Sequence, residues 1–149
     1  MHRYDATTEV LAEAVMSYSR ERMSMGDVPL DAPRTAAELQ ALVGQTITTQ
    51  GMGGEKALRL FGDVLAQACI TVDHPRYLSF IPCAPTKAAT LFDLVVSASS
   101  LYAGTWMEGS GAVYAENQAL AWLSGLAGLP ESAGGVFVPG GTYGNLSAL

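Results

Sequence analysis

Gly134-Gly135-Val136-Phe137-Val138-Pro139-Gly140-Gly141-Thr142-Tyr143-Gly144-Asn145-Leu146-Ser147-Ala148-Leu149 is the stretch on which the reading of this chain turns. It reads as a short apolar strand, a glycine turn and the opening turns of a helix. Glycines at a strand-to-helix turn let backbone N–H groups approach an anion closely. The helix N-terminus adds free donors and a favourable dipole, and the Thr142 hydroxyl adds a further donor. That is a phosphate-binding design. No Gly-Lys-Ser/Thr follows, so it is not a Walker loop, and its spacing is not the dinucleotide G-x-G-x-x-G. A tight turn that binds nothing shares the bare pattern.

Upstream of this stretch the pattern is mostly helical. Residues 5–23 place Val10, Leu11, Ala14, Val15 and Tyr18 at helical spacing, and Gly26 and Pro29 end the run. Residues 29–33, Pro-Leu-Asp-Ala-Pro, read as an extended linker. Thr35 and Glu38 form a T-x-x-E capping box for a short helix over about 36–43, closed by Gly44. Residues 46–54 read as a glycine-rich loop. An amphipathic helix over 55–69 follows, with Ala57, Leu58, Phe61, Val64, Leu65 and Ala68 on one face. His74-Pro75-Arg76-Tyr77-Leu78-Ser79-Phe80-Ile81-Pro82 is aromatic and bounded by prolines, which predicts an extended loop. Thr86 can cap a helix running to about Tyr102. A loop around Trp106 precedes a helix over about 113–126, which ends at Gly128 and Pro130.

Composition narrows the classes. The chain has 149 residues, 49% of them hydrophobic and only 15% charged, against about 25% charged in an ordinary globular domain. Such hydrophobicity excludes disorder. Eight Lys+Arg against 14 Asp+Glu gives a net charge of −6, and no basic cluster is present to neutralise phosphates, so nucleic acid is not an expected partner. The longer apolar stretches are interrupted by Asp93 or by Ser124, Gly125 and Gly128, so no membrane span is expected. The charged opening residues do not read as a signal peptide. Cys69 and Cys83 lack metal-ligand spacing and read as buried or reduced thiols, with no metal site. The low charge implies apolar surface meant for another covering.

Other candidate residues have two readings each. His74 is either a loop-shaping histidine or an acid–base group without an evident partner. Tyr77, Phe80, Ile81, Tyr102 and Trp106 are either pocket walls or ordinary packing. Glu108 and Glu116 are not constrained into a catalytic pair.

Taken in order, the His74–Pro82 run, Trp106, Glu116, Trp122-Leu123, the Gly134–Thr142 run and Asn145-Leu146-Ser147-Ala148-Leu149 resemble the front end of the group II pyridoxal-phosphate-dependent amino-acid decarboxylases. That family includes the aromatic-L-amino-acid and glutamate decarboxylases. The resemblance covers roughly residues 5–149 and is strongest from His74 onward. It implies an α/β fold of the fold-type-I, pyridoxal-phosphate-dependent transferase-like class. This chain would supply a helical N-terminal dimerisation segment (1–72), a substrate-pocket loop (73–85) and the beginning of the large cofactor-binding domain (86–149), cut within a helix. The implied cofactor is pyridoxal 5′-phosphate, held at its phosphate by Gly141 and Thr142, with Gly140 shaping the turn. Ile81, Pro82 and Cys83 match the loop lining the substrate side-chain pocket. Tyr102 and Gly104 match positions given to that pocket by the neighbouring subunit. The resemblance makes His74 a loop-shaping residue.

The family's Schiff-base lysine lies beyond the G-G-T motif, and neither Lys56 nor Lys87 matches it, so no catalytic residue is expected in this chain. Three positions depart from the family pattern. Tyr143-Gly144 stands where Glu-Ala is usual, Cys83 where aromatic-acting relatives have Thr, and Gly104 where they have a large aromatic. The implied activity is decarboxylation of an L-amino acid to its amine and CO2 by a cytoplasmic homodimer, with the piece alone inactive. The implied partners are the amino acid, a second subunit and the remainder of the same chain; no membrane is implied. The competing readings are a non-catalytic helical dimerisation module and another fold-type-I pyridoxal-phosphate lyase.

Overall fold

The computed structural model describes residues 3–26, 28–30 and 32–149. Asp31, part of the expected linker, lies outside the described residues. The chain forms two units, Met1–Thr90 and Leu91–Leu149, each taken by itself below.

In the first unit, α1 spans Ala6–Ser24. Asp5 caps it by accepting a hydrogen bond from the Thr8 N–H at 3.0 Å. The helix closes on Met25 in the left-handed region (φ 58°), one residue before the expected Gly26. The Met25 N–H bonds Arg22 O there, and the Arg22 guanidinium reaches the Met25 sulfur at 2.9 Å. Helix α2, Ala36–Val43, carries the full Thr35–Glu38 capping box and ends at Gly44 with φ +63°.

The third helix departs from expectation. α3 covers Gly54–Leu60, continues as a π-helical turn over Phe61–Leu65, and ends in a 3₁₀ turn at Ala66–Ala68. Two glycines let this element approach α1 closely. A Cβ on Gly54 would strike the Leu11 side chain, and one on Gly62 would sit 2.9 Å from Tyr18 Cε2. The Tyr18 and Phe61 rings then meet edge to face, with centroids 6.1 Å apart. These contacts pair earlier with earlier and later with later residues, so α1 and α3 run in the same direction.

In the second unit, α4 (Lys87–Ser99, begun in the first unit) ends three residues early, where Ser100 turns left-handed at φ 49°. Helix α5 spans Trp106–Leu126 and begins about two turns before the expected residue 113. Thr105 and Glu108 hydrogen-bond across its first turn. A non-helical break at Gly109 separates that turn from the rest. Gly109 has no room for a side chain, because its Cβ would lie 2.7 Å from Ala103 Cα. The C-terminus is a Schellman closure, with Leu129 N–H on Ser124 O at 3.0 Å and Gly128 N–H on Gly125 O at 3.1 Å. Helix α6 covers Gly141–Ala148.

The expected strand before Gly140 does not form. Residues 134–138 carry no regular secondary structure, and the described residues contain no strand at all. A strand exists only when a neighbour pairs with it, and none is present here. The α/β character expected from the sequence is therefore absent among the described residues, which are helical. The segment is still seated: Gly135 lies against Leu120 of α5, and Gly144 of α6 against Val138.

Coverage is sparse. No hydrophobic side chain among the described residues is buried. The close α1–α3 approach gives a test. Gly62→Val is expected to destabilise the protein by about 1–3 kcal/mol through overpacking against Tyr18, read by urea denaturation. An unchanged midpoint would contradict this packing.

Candidate functional site

The glycine turn is built as its residue types dictate. Gly140 is the N-cap of α6 at φ 129° and ψ 167°, a conformation that side chains rarely adopt. No side chain caps the helix. Its first intrahelical bond runs from Gly144 N–H to Gly140 O at 3.1 Å, which leaves the N–H groups of Gly141, Thr142 and Tyr143 aimed outward along the dipole. Nothing lies within 4 Å of where a Gly141 Cβ would stand. Thr142 is exposed beside that space. The turn is thus an open cradle of donors with room for an anion.

The other predicted site residues are not assembled into one pocket. Ile81 is 98% exposed, with Leu78 at 94% and Phe80 at 84% beside it. Pro82 is exposed as well. Cys83 lines a cleft of about 960 Å³ in the first unit, together with Tyr18, Arg22, Phe61, Asp73 and Lys87. Tyr102 is 64% exposed, its ring folded over Gly104, where any Cβ would strike it. Cys69 and Cys83 are free thiols and both are exposed, the unburied form of the expected buried-or-reduced pair. His74 accepts the Arg76 N–H on Nδ1 at 3.1 Å, and its carbonyl accepts the Tyr77 N–H at 2.9 Å. It shapes the start of the loop.

One charged cluster was not read from the sequence. Asp73 accepts two hydrogen bonds from Arg22, at 2.6 and 3.1 Å, and one from Lys87 Nζ at 2.8 Å. The three residues lie far apart in the chain and carry no local signal. The Arg22 hydrogen bonds first, and then those from Lys87, hold the Asp73 carboxyl well below the usual carboxylate range.

The relatives of this chain are amino-acid decarboxylases. The chain is 30% identical over 105 residues to an aromatic-L-amino-acid decarboxylase of Bacillus atrophaeus, covering 70% of this chain and 22% of that protein. It is 32% identical over 99 residues to an L-2,4-diaminobutyrate decarboxylase of Rhizobium meliloti (strain 1021), covering 66% and 20%. It is 24% identical over 112 residues to an L-2,4-diaminobutyrate decarboxylase of Acinetobacter baumannii, covering 75% and 22%. Its curated homologues are group II amino-acid decarboxylases. The matches span about a fifth of the length of these decarboxylases. No family model matches the chain, and no solved structure matches it. Among the described residues, no helix is long and apolar enough to cross a membrane.

The Asp73 cluster sets a pH dependence. A carboxyl whose folded pKa is depressed contributes stability above its unfolded value of about 3.9, and that stability is lost as pH falls below it. Asp73→Asn is expected to cost about 1–2 kcal/mol at pH 7, reduced from a fully buried pair by partial exposure. The gap from the wild type should close progressively below about pH 4. Denaturation midpoints across that range provide the check, and a gap that persists unchanged in acid would contradict it.

Proposed function

We propose that this chain is one section of a pyridoxal-phosphate-dependent amino-acid decarboxylase, which converts an L-amino acid to its amine and CO2. The observation that carries the reading is the match to three decarboxylases over 66–75% of the chain. The open donor cradle at Gly140-Gly141-Thr142 supports the cofactor assignment independently. When bound, pyridoxal phosphate supplies the electron sink that decarboxylation requires. The chain's own part is to hold and to shape. Gly141 and Thr142 would take the phosphate through backbone N–H groups and the Thr142 hydroxyl, with Gly140 setting the turn. Ile81, Pro82, Cys83 and Tyr102 would form walls around the substrate side chain. The lysine that carries the cofactor would come from elsewhere in the same protein.

In this reading the protein has the fold-type-I α/β architecture. Residues 1–72 form a dimerisation segment, residues 73–85 the pocket loop, and residues 86–149 the beginning of the cofactor domain. The working state is a cytoplasmic homodimer. The exposed apolar side chains support this, since each needs a cover that neither unit supplies to itself. The amino acid would belong to the range named for the relatives, aromatic or diamino.

The cradle offers a direct test in the full-length protein. A Cβ on Gly141 meets nothing within the chain, so Gly141→Val would act by filling the anion's space rather than by disturbing the fold. Gly141→Val and Thr142→Ala are each expected to weaken pyridoxal phosphate binding at least about tenfold, the worth of a lost charge-assisted hydrogen bond. Titration followed by cofactor absorbance measures this. Unchanged affinity in both variants would refute the phosphate assignment.

A further inference from the structure

Asp73 and Lys87 stand fourteen positions apart in sequence, yet their side chains meet at 2.8 Å. The residues between them form a loop whose two ends are thereby closed at the base. Such compact loops with adjoining ends are held by what ties the base and by what packs the tip. Here the base is well anchored. Thr71, just before it, is buried and donates its N–H to Leu30 O at 3.1 Å, and the His74 N–H bonds Thr71 O at 3.2 Å. At the far end, Thr86 Oγ1 accepts the Ala89 N–H at 3.2 Å and starts α4. Arg22 joins Asp73 to α1. The tip is different. None of the hydrogen bonds among the described residues involves residues 78–85, and Leu78, Phe80 and Ile81 stand in the open. The base is therefore what restrains where the tip is carried.

We propose that Asp73 and Lys87 form a clamp that positions the Ile81-Pro82-Cys83 segment, with Arg22 anchoring the clamp to α1. This rests on the reading of that segment as a wall of the substrate pocket. Asp73, Lys87 and Arg22 are positioning residues, because they act on the substrate only through the loop. Breaking the Lys87 arm frees the loop's exit while the Arg22 arm still holds Asp73 on α1. The effect belongs to the loop and to substrate fit, not to cofactor binding or to the stability of α1.

The experiment uses the full-length protein with Lys87→Met, Lys87→Arg and, as a control on an exposed lysine outside the clamp, Lys56→Met. Hydrogen exchange is read at the loop's exit, at the Ala89 and Thr90 amides that bond Thr86, and along α1. Steady-state decarboxylation is read with L-tyrosine, L-glutamate and L-2,4-diaminobutyrate. Lys87→Met is expected to speed exchange at these two exit amides about fivefold while α1 stays unchanged. It should raise KM for the accepted amino acid about tenfold with kcat within about twofold. Lys87→Arg should restore both, and Lys56→Met should alter neither. Unchanged exit exchange in Lys87→Met, or equal acceleration in α1, would overturn the clamp. Faster exit exchange with KM unmoved would overturn its positioning role. If the wild-type protein decarboxylates no L-amino acid, the proposed function fails, while the exchange arm still decides the clamp.

Discussion

One carboxylate holds the first unit together. Asp73 receives the Arg22 guanidinium at the end of α1 and the Lys87 ammonium at the start of α4. It draws three remote segments to one point. In a domain with a full core such a surface-near cluster would matter little. Here no apolar side chain among the described residues is buried, so directional, charge-assisted bonds carry a larger share of what fixes the segments. The aromatic edge contact of Tyr18 and Phe61 is the main apolar partner to this tie. These two contacts place α1, the segment around residue 73, the start of α4 and the turn at Phe61 relative to one another.

The same shortage of cover explains the composition. A chain with 15% charged residues and 49% hydrophobic ones has more apolar surface than it can hide in two small helical units. Phe92, Val95 and Val96 on α4, and Trp122 and Leu126 on α5, are all exposed. The decarboxylase relatives are about five times longer than the stretch they share with this chain. Surface of this kind suits a section whose partners are the rest of such a protein and a second copy of it, as the proposed function requires. Under the proposed function, the exposure of Ile81 and Tyr102 has the same physical cause. A wall is only part of a pocket until its opposing walls are in place.

Local signals were legible in the sequence, and long-range ones were not. The Thr35–Glu38 capping box, the Gly44 stop, the Thr86 cap and the glycine closure at Gly128 were all readable, because each is decided within a few residues. The donor cradle at Gly140–Thr142 was readable for the same reason. The strand before it was not, since pairing depends on residues elsewhere. The early start of α5 was missed because small residues around Trp106 suggested a loop, whereas Gly109 provides a break inside the helix. The π turn at Phe61–Leu65 follows from the fit of Gly62 under Tyr18, a contact without a sequence pattern. The Asp73 cluster joins positions 22, 73 and 87, and no spacing rule links them.

The proposed role of this chain in pyridoxal-phosphate-dependent decarboxylation can be tested directly. The most direct measurement is CO2 release from L-amino acids by the full-length protein, with amine formation followed in parallel and the cofactor first removed and then restored. Equal amounts of CO2 and amine are expected from at least one L-amino acid, lost on cofactor removal and regained when pyridoxal phosphate is added back. Cofactor binding without CO2 release from any amino acid, or CO2 release indifferent to the cofactor, would contradict it.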